Sequence, residues 1–327
     1  MAADKFEQAQ EQMLSDNSPR RLAGFSAYGG GGVGEESVPA YTLLCPRTCS
    51  LPVVISVPHA GRAYTPTLLT QMRNAERAAL MLEDRFVDRL GEAIALEIGA
   101  TLLIAEAPRA LIDLNRAPDD IDWSMIAETP ASQKVDIPGN RRARSGLGLI
   151  PRKLARLGEI WQRKITFDDL SRRLEVIHFP YHAALARLLQ ETRDRWGAAL
   201  LIDLHSMPPV MGGRLSLPAP QVVVGDRFGG ACAADLSALA LNKLGRSRPV
   251  AHNMPYAGGY ILERHGAPER NIHAMQLEIC RTTYLDQDMR QIGIRFPAIA
   301  REIAALIIML GEEIAWLGRP QSTLAAE

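Results

Sequence analysis

Short apolar runs of five to seven residues alternate along the chain with segments of helical periodicity, and this alternation restricts the fold more than any other feature. The runs are rich in β-branched residues, which is typical of buried strands. Strands that alternate with helices predict an α/β fold, in which a mostly parallel mixed sheet carries helices on both faces. The predicted strands span residues 51–57, 101–105, 111–115, 198–204, 221–225 and 274–279.

Apolar residues recur at helical spacing in most of the segments that separate these strands. Gly99 marks the end of one segment, since glycine commonly follows the last turn of a helix. Residues 119–145 are instead rich in turn-forming residues and predict a long loop. The predicted helices span residues 76–99, 229–244 and 296–314, with two more within 151–196.

The first 38 residues predict a flexible appendage, followed by a single α/β hydrolase domain at 39–327. Their Gly-rich run, Tyr28-Gly-Gly-Gly-Gly-Val-Gly34, contains the spacing G-x-G-x-x-G of dinucleotide-binding loops. That motif also requires a strand before it and a helix after it, and neither is indicated here. We therefore interpret the run as a linker or a loop.

The charge balance argues against two classes of partner. The chain has 37 Lys and Arg and 37 Asp and Glu among 327 residues, so its formal net charge is zero. No general attraction to nucleic acid or to an acidic membrane is expected. Four Cys are too few for a disulfide scaffold. No signal-like N-terminus and no long apolar stretch is visible, which predicts a cytoplasmic protein without a membrane span.

Polar side chains lie at the ends of several predicted strands. His59 and His205 each follow one strand, and Asn115 and Arg116 lie at the end of a third. Ligands of open α/β sheets bind beyond the carboxyl ends of the strands. The fold can therefore bring these residues to one edge together with Glu278 of the last strand. For each His, the alternative is a hydrogen-bonded residue of the core.

Two His and a carboxylate in this set match the chemistry of a metal site. Asp203 and His205 are two apart on a strand and point to the same face, so the carboxylate can orient the imidazole. Asp84 and Asp88 are four apart in the predicted helix 76–99. They form either a solvated helical face or a face from which one carboxylate turns inward. Catalytic zinc typically has three protein ligands, which two His and one carboxylate would supply.

Further residues are candidates for substrate binding and catalysis. Arg116 has the planar fork that binds a carboxylate, or else it forms an ordinary surface ion pair. Glu278 lies in an apolar strand, where a carboxylate is either a general base of raised pKa or half of a structural ion pair. After Gly258-Gly259, Tyr260 and Arg264 offer hydrogen-bond donors, unless this segment is only a tight turn before a helix.

These residues belong to an ordered set of motifs that resembles the N-formylglutamate amidohydrolases over roughly residues 51–286. Each motif is weak alone, and their joint order carries the resemblance. The motifs are Val57-Pro-His-Ala-Gly61, Asp84-Arg-Phe-Val-Asp-Arg-Leu90, Asp113-Leu-Asn-Arg-Ala-Pro118, Gly146-Leu-Gly-Leu-Ile-Pro151, Tyr181-His-Ala-Ala-Leu185, Asp203-Leu-His-Ser206, Gly258-Gly-Tyr-Ile261 and Gln276-Leu-Glu278.

The resemblance implies a phosphorylase/hydrolase-like architecture, similar to zinc carboxypeptidases and aspartoacylase. It also implies one zinc ion per chain on two His and a carboxylate, and a cytoplasmic enzyme of histidine degradation. In the site, it assigns Asn115 and Arg116 to the substrate carboxylate and the late Glu278 to the role of general base.

The chain departs from related patterns near the third metal ligand. Zinc carboxypeptidases have a Glu three residues after the first His, whereas Arg62 stands at that position here and cannot bind zinc. The usual Asp-Thr-Asp-Trp of the family is replaced by part of Met81-Leu-Glu-Asp-Arg85, and its Asp-Ala-His by Asp203-Leu-His205. We choose Asp84 over its neighbour Glu83 as the carboxylate ligand.

These features together predict a zinc-dependent hydrolase of linear amide bonds. Its expected small-molecule substrate is N-formyl-L-glutamate, or a related N-acyl amino acid, with formate and glutamate as the products. The alternatives are a deacylase or peptidase of another N-acyl amino acid, and a binding protein without turnover on the same fold. A serine hydrolase based on Ser206 is disfavoured because the surrounding residues are not a nucleophile elbow. The oligomeric state is not indicated.

Overall fold

An eight-stranded mixed sheet forms the centre of the computed structural model, which describes residues 20–34, 38–127, 141–210 and 218–319. The spatial order of the strands is β1-β2-β4-β3-β5-β8-β6-β7, numbered along the chain. The central strands β4, β3, β5 and β8 are mutually parallel. The strands are β1 Phe25–Gly30, β2 Tyr41–Pro46, β3 Val53–Val57, β4 Thr101–Ala105, β5 Ala199–Met207, β6 Val222–Gly225, β7 Val250–His252 and β8 Ile272–Cys280.

Antiparallel pairs flank this parallel centre. Strand β2 joins β1 to β4, and β6 runs antiparallel to β8 but parallel to β7. Four two-residue strands form small ladders outside the main sheet. These are Ile126–Ala127 with Ile165–Thr166, and Lys153–Leu154 with Gly158–Glu159. The predicted fold class, a mostly parallel mixed sheet in an α/β architecture, is confirmed.

Helices cover both faces of the sheet. The α-helices are α1 Pro66–Gln71, α2 Ala75–Leu82, α3 Val87–Ile98, α4 Arg141–Arg144, α5 Phe167–Arg173, α6 Phe179–Trp196, α7 Ala234–Gly245, α8 Tyr260–His265 and α9 Phe296–Leu317. Within the described ranges there are also the π-helical turn Leu174–His178 and the 3₁₀ turns Trp123–Met125, Pro268–Arg270 and Arg281–Thr283. None of the helices in the described ranges has both the length and the apolarity of a membrane span.

Alternation along β5 divides the core into two layers. Leu200, Ile202 and Leu204 face the layer that contains α3, α7 and α9. Ala199 and Leu201 face the layer that contains α6. Because side chains alternate along a strand, Asp203 and His205 continue the row of Ala199 and Leu201. The α6 side of the sheet therefore changes from apolar to polar toward the carboxyl end of β5.

The predicted helix 76–99 is interrupted in the structure. Residues 83–86 separate α2 from α3, and Phe86 takes left-handed backbone angles with φ of 55°. A regular helix cannot pass through that conformation. The amide of Asp84 instead donates to the carbonyl of His59 at 2.9 Å. The prediction of one helix is thus wrong, and the break places Asp84 beside the end of β3.

The predicted strand 111–115 is also wrong, since these residues form turns and irregular backbone. The Asp113 amide donates to the carbonyl of Leu149 at 2.7 Å, outside any ladder. Within 151–196, the two predicted helices run together as α5, the π turn and α6. Strands β2 and β7 have no counterpart in the sequence prediction, because their pattern is short and interrupted.

The Gly-rich run differs from the predicted linker or loop as well. Residues 25–30 form the edge strand β1, whose backbone pairs with β2 from Phe25 opposite Pro46 to Gly30 opposite Tyr41. The interpretation as a linker or a loop is therefore wrong for these residues. Glycine lowers strand propensity but does not prevent pairing. Residues 1–19 and 35–37 lie outside the described residues, as do 128–140 of the predicted loop, and the boundary at residue 38 stays a prediction.

Candidate metal centre and active site

The carboxyl ends of β3, β5 and β8 bring the candidate residues together. His59 lies two residues beyond the end of β3, and Ser56 of that strand is in register with Asp203 of β5. One pleat further along, His205 of β5 is in register with Glu278 of β8. Two adjacent strands and the loop after a third therefore present their polar side chains at one edge of the sheet.

His59, Asp84 and His205 form a compact buried group. Each offers one ligand atom, and these three atoms lie within 4.8 Å of one another. The Oδ2 atom of Asp84 is 3.1 Å from Nδ1 of His205 and 3.6 Å from Nδ1 of His59. Ligand atoms at the corners of a zinc tetrahedron are about 3.3 Å apart when the metal bonds are about 2.0 Å. The two distances from Asp84 to the imidazole nitrogens thus fit the spacing of a tetrahedral metal site.

A carboxylate holds the outer nitrogen of each imidazole. Nε2 of His59 is 2.7 Å from Oδ1 of Asp113, and Nε2 of His205 is 2.8 Å from Oδ2 of Asp203. When each Nε2 carries its hydrogen and donates it to the carboxylate, Nδ1 keeps a lone pair that faces Asp84. Metal-binding His residues are typically oriented in this way.

The electrostatics of the group favour a cation. Burial alone would raise the pKa of Asp84, but its hydrogen bonds with His205 and His59 outweigh burial and lower that pKa. Burial would lower the pKa of His205, but the charge of Asp203, the hydrogen bonds with Asp203 and Asp84 and the charge of Glu278 together outweigh burial and raise that pKa well above its ordinary value. Three carboxylates surround two imidazoles here, so the site carries negative charge that a divalent metal would balance.

Glu278 is buried beside this group. Its Oε1 accepts a hydrogen bond of 2.8 Å from Nε2 of Gln276, two residues earlier on the same face of β8. Burial, together with the charges of Asp84 and Asp203, raises the pKa of Glu278 to about 7, while His205 and Arg109 oppose the increase. A carboxyl group with this pKa can exchange protons near neutral pH.

Asn115 links the metal group to α8. Its Oδ1 accepts from the amide of Ile261 at 2.9 Å, and its Nδ2 lies 3.3 Å from Nε2 of His205. Gly259 makes this approach possible, because a Cβ atom there would lie 2.5 Å from Oδ1 of Asn115. Asn115 is thereby held against both the imidazole of His205 and the first turn of α8.

Comparison with known proteins agrees with this geometry. Residues 51–285 match the model of the N-formylglutamate amidohydrolase family, a range that includes every candidate residue above. The chain belongs to this N-formylglutamate amidohydrolase family. The N-formylglutamate deformylase of Pseudomonas aeruginosa is 30% identical over 277 residues, which cover 80% of this chain and 95% of that protein. The predictions of the family and of a hydrolase of the amidohydrolase type are confirmed.

Solved structures extend the comparison to the fold. The crystal structure of N-formylglutamate amidohydrolase from Ralstonia eutropha superposes with a TM-score of 0.75 at 30% identity, covering 84% of this chain and 98% of that one. A gene product of Agrobacterium tumefaciens shares the fold at 18% identity with a TM-score of 0.53, covering 81% of this chain and 92% of that one.

Arg116 of this family member is buried rather than exposed on the surface. Its Nη1 donates to the carbonyl of Asn115 at 2.8 Å and its Nε to that of Leu147 at 3.0 Å. The carboxylates of Asp113 and Asp120 are both 3.9 Å from Nε. The alternative of an ordinary surface ion pair is thus wrong, and the guanidinium is fixed next to Asn115.

Tyr260 and Arg264 lie on α8, away from direct contact with the three metal donors. The Tyr260 ring packs against the rings of His178 and His182, at centroid distances of 5.8 and 5.1 Å. Arg264 is exposed and donates to the Tyr260 hydroxyl at 3.0 Å. Their predicted contact with substrate stays a prediction.

Several residues of the site were missed by the sequence analysis. Asp113 enters the sequence analysis only as the first residue of a motif, without a role, although it binds His59. Its other oxygen accepts from Nε of Arg109 at 2.9 Å. Burial would lower the pKa of Arg109, but the charges of Asp113, Asp84 and Glu278 outweigh it and raise that pKa. Arg109 follows a proline in a turn, where no periodicity or motif singles it out.

Arg281 is a second missed cation. It follows β8 directly, and its Nη2 lies 2.5 Å from the carbonyl of Glu83 and 3.4 Å from Oδ1 of Asp84. Its Nε donates to the hydroxyl of Ser206 at 3.1 Å. Arg281 therefore ties the break between α2 and α3 to the end of β5. A cation directly after a strand that carries a candidate base is the sequence signal that would have found it.

Proposed function

We propose that this chain is a zinc-dependent N-formylglutamate deformylase, which hydrolyses N-formyl-L-glutamate to formate and L-glutamate. The observation that carries the proposal is the convergence of His59, Asp84 and His205 beside the buried Glu278, in a member of an amidohydrolase family. Its expected partner is accordingly a small N-acyl amino acid.

The proposed metal ligands are Nδ1 of His59, Nδ1 of His205 and Oδ2 of Asp84. A zinc ion supplies Lewis acidity, which acidifies water and polarises an acyl oxygen. Asp113 and Asp203 keep both imidazoles in the tautomer that presents Nδ1. Arg281 lies 3.4 Å from the second oxygen of Asp84, which supports the carboxylate from the side opposite the imidazoles.

Glu278 is the proposed general base. Its raised pKa lets the ionised form accept a proton from the attacking water and the acid form return that proton to the leaving amine. Gln276 holds Oε1 of Glu278, which restricts the carboxylate to one orientation. Arg109, which is ion-paired with Asp113 and whose charge also acts on Asp84 and Glu278, is the proposed group that stabilises negative charge on the acyl oxygen.

Arg116, with Asn115, is the proposed site for a substrate carboxylate. The two carbonyl contacts of Arg116 fix the plane of its guanidinium, which suits a bidentate interaction with a carboxylate. Tyr260 and Arg264 on the neighbouring α8 complete the proposed substrate site. N-formyl-L-glutamate has two carboxylates, so a cationic clamp fits its chemistry.

The decisive experiment combines metal analysis with a substrate panel on the full chain. Zinc per chain is measured by elemental analysis, and turnover is followed with N-formyl-L-glutamate, N-formyl-L-glutamine, N-acetyl-L-glutamate and N-formyl-L-leucine. We expect about one zinc per chain and the highest kcat/KM with N-formyl-L-glutamate. Faster turnover of N-acetyl-L-glutamate would replace the proposal by another deacylase activity. Binding without hydrolysis of any compound would replace it by a binding function.

A further inference from the structure

A row of side-chain donors from one helical segment binds the carbonyls of the loop that carries the proposed substrate clamp. Arg173 donates from Nη1 to the carbonyl of Leu111 at 2.9 Å. His182 and His178 place their Nε2 atoms 3.0 Å from the carbonyls of Leu114 and Arg116, respectively. Three side chains within ten residues thus serve three carbonyls within six residues.

These hydrogen bonds replace a sheet ladder. Residues 111–116 are buried but do not form a strand, so their carbonyls cannot use neighbouring strands as partners. A buried carbonyl without a donor is strongly unfavourable. The conformation of this loop therefore depends on the side chains that face it from the helical segment.

The loop positions three parts of the site at once. Asp113 binds Nε2 of His59, Asn115 lies against His205, and Arg116 is the proposed carboxylate clamp. His178 holds the backbone of Arg116 itself. A shift of that carbonyl would displace the guanidinium. By contrast, His205 also binds Asp203 of its own strand, and Asp113 behind His59 has a second partner in Arg109.

The helical segment is shaped to present both imidazoles to the loop. The π turn Leu174–His178 leads directly into α6, and π turns occur frequently at functional sites. His178 and His182 are four residues apart, and their ring centroids are 4.4 Å apart. Both rings consequently point toward the same stretch of loop.

The hydrogen bonds assign the state of each ring. A carbonyl only accepts, so Nε2 of His178 and Nε2 of His182 both carry hydrogen. Nδ1 of His182 then accepts from Nε2 of His265 at 3.0 Å. Nδ1 of His178 is buried and has no hydrogen-bond partner among the described residues. Among the described residues, the carbonyl of Arg116 is therefore the only hydrogen-bond partner of the His178 ring.

Burial, more than any neighbouring charge, keeps the rings neutral. Burial lowers the pKa of His178, and the charge of Arg264 adds to this effect while Asp113 opposes it. Burial and the adjacent His178 and His265 hold the pKa of His182 well below its ordinary value. Burial and Arg264 lower the pKa of His265 to about 3. Neutral rings retain the tautomers that the carbonyl contacts require.

We propose that His178 and His182 are positioning residues for substrate binding, which act through the backbone carbonyls of Arg116 and Leu114 rather than by contact with substrate or metal. This inference rests on the proposed function, because it assigns to Arg116 the role of a carboxylate clamp. It predicts that loss of the His178 donor weakens substrate binding more than it slows the chemical step.

The test compares three substitutions of His178. His178→Gln keeps an amide donor near the position of Nε2, whereas His178→Asn is too short to reach the carbonyl and His178→Leu has no donor. Nδ1 of His178 has no hydrogen-bond partner among the described residues, so replacement of the ring by Gln removes no second hydrogen bond. If His178→Leu does not fold, the comparison between Asn and Gln still decides the result.

The matched control is His273→Leu. His273 is also buried, accepts one hydrogen bond from the amide of Ala233 at 3.3 Å, and lies near the opposite end of β8 from Glu278. Its loss should lower the thermal midpoint without changing the kinetics. A purely structural role of His178 would give the same pattern as this control.

The readouts are kcat, KM, zinc content and the tautomers of the imidazoles, the last from ¹⁵N NMR. For N-formyl-L-glutamate we expect KM to rise about tenfold in His178→Leu and His178→Asn, with kcat within about threefold of wild type. His178→Gln should restore KM to within about threefold, and all variants should keep wild-type zinc. The wild-type NMR spectrum should show His178 and His182 as neutral Nε2–H tautomers at pH 7.

Two results would overturn the inference. Unchanged KM in a folded His178→Leu or His178→Asn protein would reject the positioning role while wild-type hydrolysis upheld the proposed function. Nδ1–H tautomers in the wild-type spectrum would reject the hydrogen bonds themselves, whatever the activity. Absence of wild-type turnover and of substrate binding would instead overturn the proposed function together with this extension of it.

Discussion

Three carboxylates around the break between α2 and α3 have two different kinds of partner. Oδ2 of Asp84 faces the imidazoles of His59 and His205, and its Oδ1 is 3.4 Å from Nη2 of Arg281. Glu83 and Asp88 instead form close ion pairs with the guanidinium group of Arg62, at 2.7 and 2.5 Å. All three side chains are buried. All three are thus buried acidic residues, and their partners distinguish them. We refer to Asp84 with its two imidazoles as the imidazole side, and to Glu83 and Asp88 with their arginines as the arginine side.

On the arginine side, the charges of Glu83 and Asp88 are neutralised by nearby arginines of the protein. Nη1 of Arg62 donates to Glu83 at 2.7 Å and its Nη2 to Asp88 at 2.5 Å. Arg20 adds contacts of 2.9 Å to Asp88 and 2.6 Å to Glu92. Arginine stays charged at all ordinary pH values, so these carboxylates are already compensated. Imidazoles can be neutral, and the charge of Asp84 is then available to a cation.

The largest expected effect is on the imidazole side of this comparison. His59→Ala and His205→Ala should each lose zinc and activity together, since two donors do not complete a catalytic zinc site. Asp84→Asn should also lose zinc, whereas Asp88→Asn should keep it. Elemental analysis and turnover of N-formyl-L-glutamate provide the check. Full zinc in a His59→Ala/His205→Ala double variant would show that the metal binds elsewhere.

Asp203, which binds Nε2 of His205, should affect metal affinity and activity less than His205 itself does. Asp203→Asn leaves the ligand atom in place but removes the charge that orients the imidazole. Losses of such supporting groups are typically about 10–100-fold in metal affinity or activity. Zinc titration of the apoprotein would measure this intermediate effect, and an affinity equal to that of wild type would argue against an orienting role.

For Glu278, the proposed general base, the expected loss of activity lies between that of the metal ligands and that of Asp203. Glu278→Gln should keep zinc and fold but lower kcat by roughly 10²–10⁴-fold, because the amide cannot accept a proton. The pKa of Glu278 is raised to about 7, so the carboxylate form, and with it the activity, should increase as the pH rises through that range. Because Glu278 interacts with other ionisable groups of the site, the pH dependence of the activity gives an apparent pKa of these groups together.

A structural ion pair makes the opposite prediction for Glu278→Gln. In that case the variant would lose stability because a buried partner charge would be left uncompensated, and its kcat would stay near wild type. Thermal unfolding and kcat of the zinc-loaded variant, measured on one preparation, separate the two cases. Wild-type turnover with full zinc would remove Glu278 from the role of base.

The sequence predicted the strand ends of the site better than the segments between strands. Asp203, His205 and Glu278 lie on β5 and β8, where a period of two already defines which side chains share a face. Their grouping at one edge then follows from parallel pairing. The geometry agrees with these predictions because both steps depend on local patterns and on one general rule for open sheets.

Asp84 and Asp113 show where the sequence signal ends. The periodicity of residues 76–99 continues across the break, so nothing local indicates that Phe86 leaves the helix. The break depends on partners far along the chain, such as Arg281 binding the carbonyl of Glu83. The predicted strand 111–115 fails for a similar reason, since distant His and Arg side chains satisfy its carbonyls.

A smaller effect is expected for Arg116, the proposed carboxylate clamp. The nearest carboxylates, those of Asp113 and Asp120, are 3.9 Å from its Nε. Arg116→Lys keeps the charge but removes the planar fork, so KM for N-formyl-L-glutamate should rise about 10–100-fold. Substrates with amidated carboxylates should show a smaller difference between variant and wild type. Equal kcat/KM of wild type for free-acid and amidated substrates would contradict a carboxylate clamp.

The smallest effect on activity is expected on the arginine side. At pH 7, Asp88→Asn should change kcat by less than about threefold, yet lower the free energy of unfolding by about 3 kcal/mol because the partly buried guanidinium groups of Arg20 and Arg62 lose a counter-charge. Loss of zinc equal to that of Asp84→Asn would place Asp88 on the metal side after all, and the comparison would fail.

The same variant has a defined pH dependence. Burial would raise the pKa of Asp88, but Arg62, Arg20 and Arg89 outweigh it and hold that pKa below its ordinary value. The unfolded chain therefore binds a proton at higher pH than the folded protein does. The stabilisation by Asp88 is complete above about pH 4, the ordinary pKa of Asp, and declines as the pH falls toward the lower, folded value. Thermal midpoints measured from pH 7 to pH 3 should thus fall less steeply for Asp88→Asn than for wild type, and parallel curves would show that the arginine side does not hold the Asp88 carboxylate in its ionised form.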